Sequence, residues 1–275
     1  MKILRVVLYC VLGGLSLTAA VFGKAGFEWW WLAGIVLSAS FVPVALFGPR
    51  RGLSQFGVIA PVLLIVTVLC LWSESLIFLQ IPEIQQHAVL NLVASAVIYL
   101  IVAAVLAALA VLLKLPHAEV PKVELRSANK VALLVILSGL SYVLYYLIFG
   151  SLTYRFFTRP YYPHSPEIVA RLGLWFWAIQ IGRGVLMALA LLPVIRTLRM
   201  SRVQAAIAVG LLMWVAGGVA PLLLPNPLMP PLLRLIFMIE ILTENACFGI
   251  TAVLLLRPTQ ARNRADLPIV TPAHL

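Results

Sequence analysis

Charged side chains are scarce in this sequence. Asp, Glu, Lys and Arg make up 11% of its 275 residues, where a soluble domain carries about 25%. So few charges cannot cover a water-exposed surface, and a soluble chain of this kind would present large apolar patches. Cysteine is limited to Cys10, Cys70 and Cys247, each inside an apolar run, so no disulfide framework can be written and all three read as small buried hydrophobes. The four histidines, His87, His117, His164 and His274, fall between or beyond the apolar runs. No G-x-x-x-x-G-K-[ST], G-x-S-x-G or H-E-x-x-H pattern occurs, so phosphate-loop, serine-hydrolase and zinc-protease chemistry have no carrier. The sequence points to no metal and no cofactor. Strict period-two alternation is also missing, which argues against a membrane β-barrel.

Apolar residues fill the space the charges leave, at 63% of the chain with a mean hydropathy of +1.07. A helix crosses about 30 Å of hydrocarbon with roughly 20 residues. Eight stretches reach that length: Ile3–Phe22, Trp29–Phe47, Phe56–Ile81, Ala88–Leu113, Val131–Thr153, Leu172–Ile195, Val203–Leu224 and Leu232–Leu256. Backbone in lipid must bond to itself, which favours helices. The expected fold is therefore all-α, a polytopic bundle of about eight spanning helices. Residues 1–256 form its single domain, and 257–275 form a short basic tail.

The formal charge of +11 would suggest nucleic acid as a partner for a soluble chain. Here the positions of the charges suggest the bilayer instead. With the first end inside, inner segments hold fourteen basic residues, from Lys2 and Arg5 through Arg50, Arg51, Lys114, Lys122, Arg126, Lys130, Arg196, Arg199 and Arg202 to Arg257, Arg262 and Arg264. Outer segments hold four, Lys24, Arg155, Arg159 and Arg171. That asymmetry places both termini in the cytoplasm, and short loops suggest a bacterial inner membrane. Lys2 and Arg5 before an apolar run resemble a signal peptide, but the run is long and no A-x-A site follows, so the helix is read as retained. Trp29, Trp30 and Trp31 read as an interfacial belt.

Charges inside the spans carry the functional signal. Glu74, Arg183, Glu240 and Glu244 lie about 10, 16, 12 and 18 Å below the outer ends of their helices at 1.5 Å per residue, with Arg234 nearer the surface. A charge at the bilayer centre costs roughly 2.5–3.5 kcal/mol and persists where it pairs, faces a polar cavity or performs a function. Glu240 and Glu244 are four residues apart and share a helix face, where two carboxylates repel. Arg183, at matching depth, is a candidate to bridge them. Three carboxylates and two guanidiniums leave one negative charge, so one glutamate is expected to hold a proton or a cation. Asn91, Tyr142, Tyr145, Tyr146, Gln180 and Asn245 lie at similar depth and are expected to line an outward-facing cavity. Glu74 would stand at its entrance. Gly182 and Gly184 would leave room beside Arg183.

Two outer segments add to this. Tyr154–Glu167 mixes aromatic rings with Arg155 and Arg159, which would contact anions or headgroups. Pro221–Pro231 holds five prolines and cannot be helical throughout. The leading expectation is a membrane protein that binds or transports a small solute. An intramembrane enzyme acting on a lipid or lipid-linked substrate, with a glutamate as general acid or base, is the alternative. A non-catalytic subunit or sensor is the third. Lipid is the expected surroundings in every case, with a small molecule or lipid as ligand.

Overall fold

The computed structural model describes residues 2–18, 26–78, 85–115, 127–226 and 229–258. Regular structure among them is helical, in nine helices: α1 (Lys2–Thr18), α2 (Phe27–Phe47), α3 (Gly52–Phe78), α4 (Ala88–Leu112), α5 (Ala128–Thr158), α6 (Ser165–Leu172), α7 (Leu174–Thr197), α8 (Arg202–Leu223) and α9 (Pro231–Leu256). Seven of these, α2 to α5 and α7 to α9, are long and apolar enough to cross a membrane. The protein is a multi-pass membrane protein. Helix α1 covers 17 described residues. The sequence continues the first span through residues 19–22, which lie outside the described residues, as do residues 79–81 of the third span, Lys24, Lys122, Arg126 and the tail from 259.

Side-chain placement explains why lipid suits this surface. Val89, Val93, Val97 and Ile101 form an i, i+4 stripe along α4, and each is at least half exposed. Val203, Ile207 and Leu211 repeat the pattern on α8. Apolar stripes of this length on the outside of the bundle match hydrocarbon and would aggregate in water.

Helices α3, α8, α9, α5 and α7 contact one another in that order, and α7 returns to α3, closing a ring. Helices α1, α2 and α4 pack outside it, with α1 between α2 and α4, and α4 against α3. Glycine pairs set the closest approaches. A methyl on Gly184 of α7 would collide with the carbonyl of Gly139 on α5. A methyl on Gly249 of α9 would lie 2.9 Å from the Val209 carbonyl oxygen on α8. Small residues therefore bring these backbones together, as in other membrane helix pairs. The Gly184 contact gives a reason for glycine beside Arg183 that differs from the expected room around its stem; Gly182, by contrast, has open space.

The two ends of the bundle differ in charge. At one end Arg199 N–H donates to Phe47 O at 3.1 Å, and Arg257 donates to Leu198 O at 3.1 Å and to Met200 O, drawing together the α2–α3 turn, the α7–α8 turn and the end of α9. Arg50, Arg51 and Arg196 belong to this basic end. The other end carries α6, which lies across the end of α3 and beside α7.

Two expectations change on this scaffold. The fifth span does not stop at Thr153: α5 runs 31 residues to Thr158, because no proline interrupts it before Pro160. Arg155 is thus on the last turn of a helix and not in a loop. The tryptophans do not form one belt. Trp29 is half exposed, Trp30 packs against the core, and the Trp31 indole N–H donates to Val11 O on α1 at 3.3 Å. Consecutive helical residues are about 100° apart, so three in a row cannot share one face.

Candidate functional site

The ring encloses an ion pair. Glu74 extends from α3, Arg183 from α7, and Arg183 Nη1 binds Glu74 Oε2 directly. The same Nη1 donates to Gln180 Oε1 at 2.7 Å, one turn earlier on α7. From α5, the Tyr146 hydroxyl donates to Glu74 Oε1 at 2.9 Å. The guanidinium lies 5.6 Å from the Tyr142 ring centroid and 6.0 Å from that of Tyr146, within cation–π range. Tyr142 packs edge-on against Phe248 of α9, with centroids 5.7 Å apart. Arg183 is 11% exposed and Glu74 31% exposed. Enclosing both charges is tolerable only because each is paired and hydrogen-bonded.

Arg183 thus takes Glu74 as its charged partner and does not bridge Glu240 and Glu244, the role its depth suggested. Glu240 and Glu244 converge elsewhere, on Gly150 of α5. A methyl at Gly150 would lie 3.3 Å from Glu244 Oε1 and 3.4 Å from Glu240 Oε1. Glu244 is 5% exposed and Glu240 is half-buried. Among the described residues, Glu244 Oε1 and Glu240 Oε2 are buried with no hydrogen-bond partner, and no basic side chain forms a salt bridge with either glutamate. Gln180 Nε2 and Arg183 Nε are likewise buried and unpartnered. Unmatched acceptors on α9 therefore share the ring with unmatched donors on α7.

The backbone at the glutamates is unusual. Residues Leu242–Ala246 of α9 form a π-helical turn, which holds Glu244, and Tyr146–Gly150 of α5 form another, which holds Gly150. Such wide turns bond i to i+5 and recur at functional positions. Three more lie at Leu63–Cys70 on α3, Tyr154–Thr158 on α5 and Val215–Val219 on α8. The α8 stretch adjoins Thr67 and Asn245: Thr67 Oγ1 donates to Ala216 O at 2.9 Å, and Asn245 Nδ2 donates to Met213 O at 3.4 Å. Asn245 is therefore bonded to helix backbone on α8.

The remaining candidates separate. The Tyr145 hydroxyl is 2.8 Å from Thr251 Oγ1, deeper along α9. Asn91 is exposed near the start of α4. Arg155 and Arg159 are exposed at the far end of α5, with the Arg155 guanidinium 5.8 Å from the Phe156 ring centroid. Arg234 lines a crevice of about 270 Å³ with Trp29, Leu223, Pro225 and Met238, and none of the ring's charges reaches it. Gly150 was not singled out from the sequence. A lone glycine after Tyr-Leu-Ile-Phe carries no signal until the fold shows what it faces. Among the described residues, no three His, Cys, Asp or Glu side chains gather as a metal site.

No protein-family model, curated protein or solved structure matches this chain.

Proposed function

We propose that this membrane protein binds a proton or small cation at Glu240 and Glu244 and uses that binding to move a small solute through the ring of α3, α5, α7, α8 and α9. The observation that carries this reading is the glutamate pair itself. Both carboxylates turn to Gly150, Glu244 is 5% exposed, and neither forms a salt bridge with a described basic side chain. Two such groups resist being ionised together in a low-dielectric site, so a positive ligand is the natural occupant. Arg183 does not compete for that role, because Glu74 holds it. Ionisable groups kept inside a membrane bundle typically mark ion or substrate paths.

The basic end of the bundle, with Arg50, Arg51, Arg196, Arg199 and Arg257, is placed in the cytoplasm together with both chain termini, following the loop-charge rule. The glutamates then open toward the outer face, in a bacterial inner membrane. Glu240, half-buried and nearer that face, meets the ligand first, and Glu244 holds it deeper.

The test is proton and cation exchange by the purified full chain. Infrared difference spectra in detergent should show a protonated carboxyl band that disappears in Glu244→Gln. Proteoliposomes with an internal pH dye should dissipate an imposed gradient when supplied with the right class of solute, and the Glu244→Gln protein should not. A Glu244→Gln protein with an unchanged carboxyl band and an unchanged cation response would overturn the proposal.

A further inference from the structure

We infer that the crevice around Arg234 is a binding site for the headgroup and upper acyl chain of an anionic phospholipid. It is separate from the glutamate site and does not depend on the function proposed above. Three elements build it. Gly26 immediately precedes α2, and its φ of +85° turns the chain so that Trp29 stands at the mouth, with the Trp29 N–H bonded to Gly26 O at 3.1 Å. The end of α8 and the turn after it supply Leu222, Leu223 and Pro225. The first turns of α9 supply Pro231, Arg234 and Met238.

Among the described residues lining the crevice, Arg234 is the only charged one. Its Nη1 donates to Leu224 O at 3.3 Å, while its Nε is buried with no hydrogen-bond partner. It sits six residues before Glu240, on a different side of α9, so the glutamates do not neutralise it. A guanidinium offers a fork of donors suited to phosphate. The other walls are aliphatic, proline and indole surface, which suits an alkyl chain and not a free, fully hydrated ion. The crevice opens at the end of the bundle that carries half-exposed Trp29, where a tryptophan lies at headgroup level. Its volume of about 270 Å³ fits a phosphate group and the first carbons below it, not a whole lipid. The occupant is therefore an anionic lipid of the surrounding leaflet, entering head first beside α9.

The experiment is lipid titration of the detergent-purified full chain, read by native mass spectrometry, using phosphatidylglycerol and phosphatidylcholine with identical acyl chains. Both headgroups carry the phosphodiester, but in phosphatidylcholine a quaternary ammonium offsets its charge beside Arg234, so wild type should retain phosphatidylglycerol on the order of tenfold more tightly. Arg234→Gln should erase the preference, and Arg171→Gln, at an exposed arginine of α6, should preserve it. Met238→Trp fills the crevice and keeps the guanidinium. It should weaken phosphatidylglycerol retention, and it decides the matter if Arg234→Gln does not fold. Equal retention of the two lipids by wild type overturns the inference. So does a preference that survives Arg234→Gln or Met238→Trp. Full displacement of phosphatidylglycerol by soluble glycerol phosphate would assign the site to a free anion and overturn it as well.

Discussion

Arg183 on α7 and Glu74 on α3 are joined directly across the ring, and that pairing leaves Glu240 and Glu244 without a salt bridge among the described residues. One guanidinium cannot neutralise three carboxylates. The ring therefore holds one satisfied pair and one unsatisfied pair, and the predictions follow from that inequality.

Arg183→Ala should destabilise the protein by about 3–5 kcal/mol, because it leaves the Glu74 carboxylate enclosed without its partner. Glu74→Ala should have a similar effect, and the double variant should lose less than the two single losses together. Melting of all four proteins in one detergent measures the coupling. Strict additivity would mean that the two residues stabilise the bundle independently.

Glu240→Gln and Glu244→Gln should both leave stability intact, unlike the changes at Arg183 and Glu74. Each removes one of two facing carboxylates and keeps the shape of the side chain, so melting should hold or rise slightly. Cation-dependent stabilisation should be lost. The comparison is melting in sodium chloride against choline chloride, for wild type and each variant. A steep loss of stability in Glu244→Gln would show that the carboxylate is a structural group.

Gly150→Val should block the glutamate site without unfolding the ring. Even the first added carbon would sit 3.3–3.4 Å from an oxygen of each glutamate. The added branches occupy the space a ligand needs. Proteoliposome exchange should fall to background while the circular dichroism of the purified protein stays the same.

The neighbouring glycines on α7 separate packing from function. Gly184→Ala drives a methyl into the Gly139 carbonyl and should cost about 1–3 kcal/mol by overpacking. Gly182→Ala meets open space and should be neutral or mildly stabilising through helix propensity. Thermal melting distinguishes them, and equal effects would contradict the α5–α7 contact.

Orientation can be read by labelling. In a chain with Cys10, Cys70 and Cys247 replaced by Ala, Glu167→Cys on α6 should react with an impermeant maleimide in intact cells. Ser201→Cys at the α7–α8 turn should react only after lysis. The reverse pattern would invert the proposed topology.

The seven long spans were legible in the sequence because hydrophobic length is a local property, and lipid leaves the backbone little choice. Pairing was not. Depth is one coordinate, and the choice between Glu74 and the α9 glutamates as partner to Arg183 depends on which helices adjoin. Adjacency is set by contacts such as Gly139 against Gly184, whose partners lie 45 residues apart in the chain. The tryptophan run misled for a different reason: its residues share a composition but point in three directions. Thr67 and Thr251 escaped notice because single hydroxyls in apolar helices are common, and their partners, Ala216 O and the Tyr145 hydroxyl, lie on other helices.

The wide turn at Leu242–Ala246 has a consequence for how this chain can change over generations. Bonding i to i+5 gives this turn one residue more than a regular α-turn, so losing one there would restore ordinary helix and leave the rest of α9 nearly in its present register. Phe248, Gly249, Ala252 and Val253 would stay buried against the helices they fit, and the change would fall on the aim of Glu240 and Glu244. Descendants of this sequence can drop a single residue between Glu240 and Ala246 and keep the bundle, at the expense of the glutamate pair.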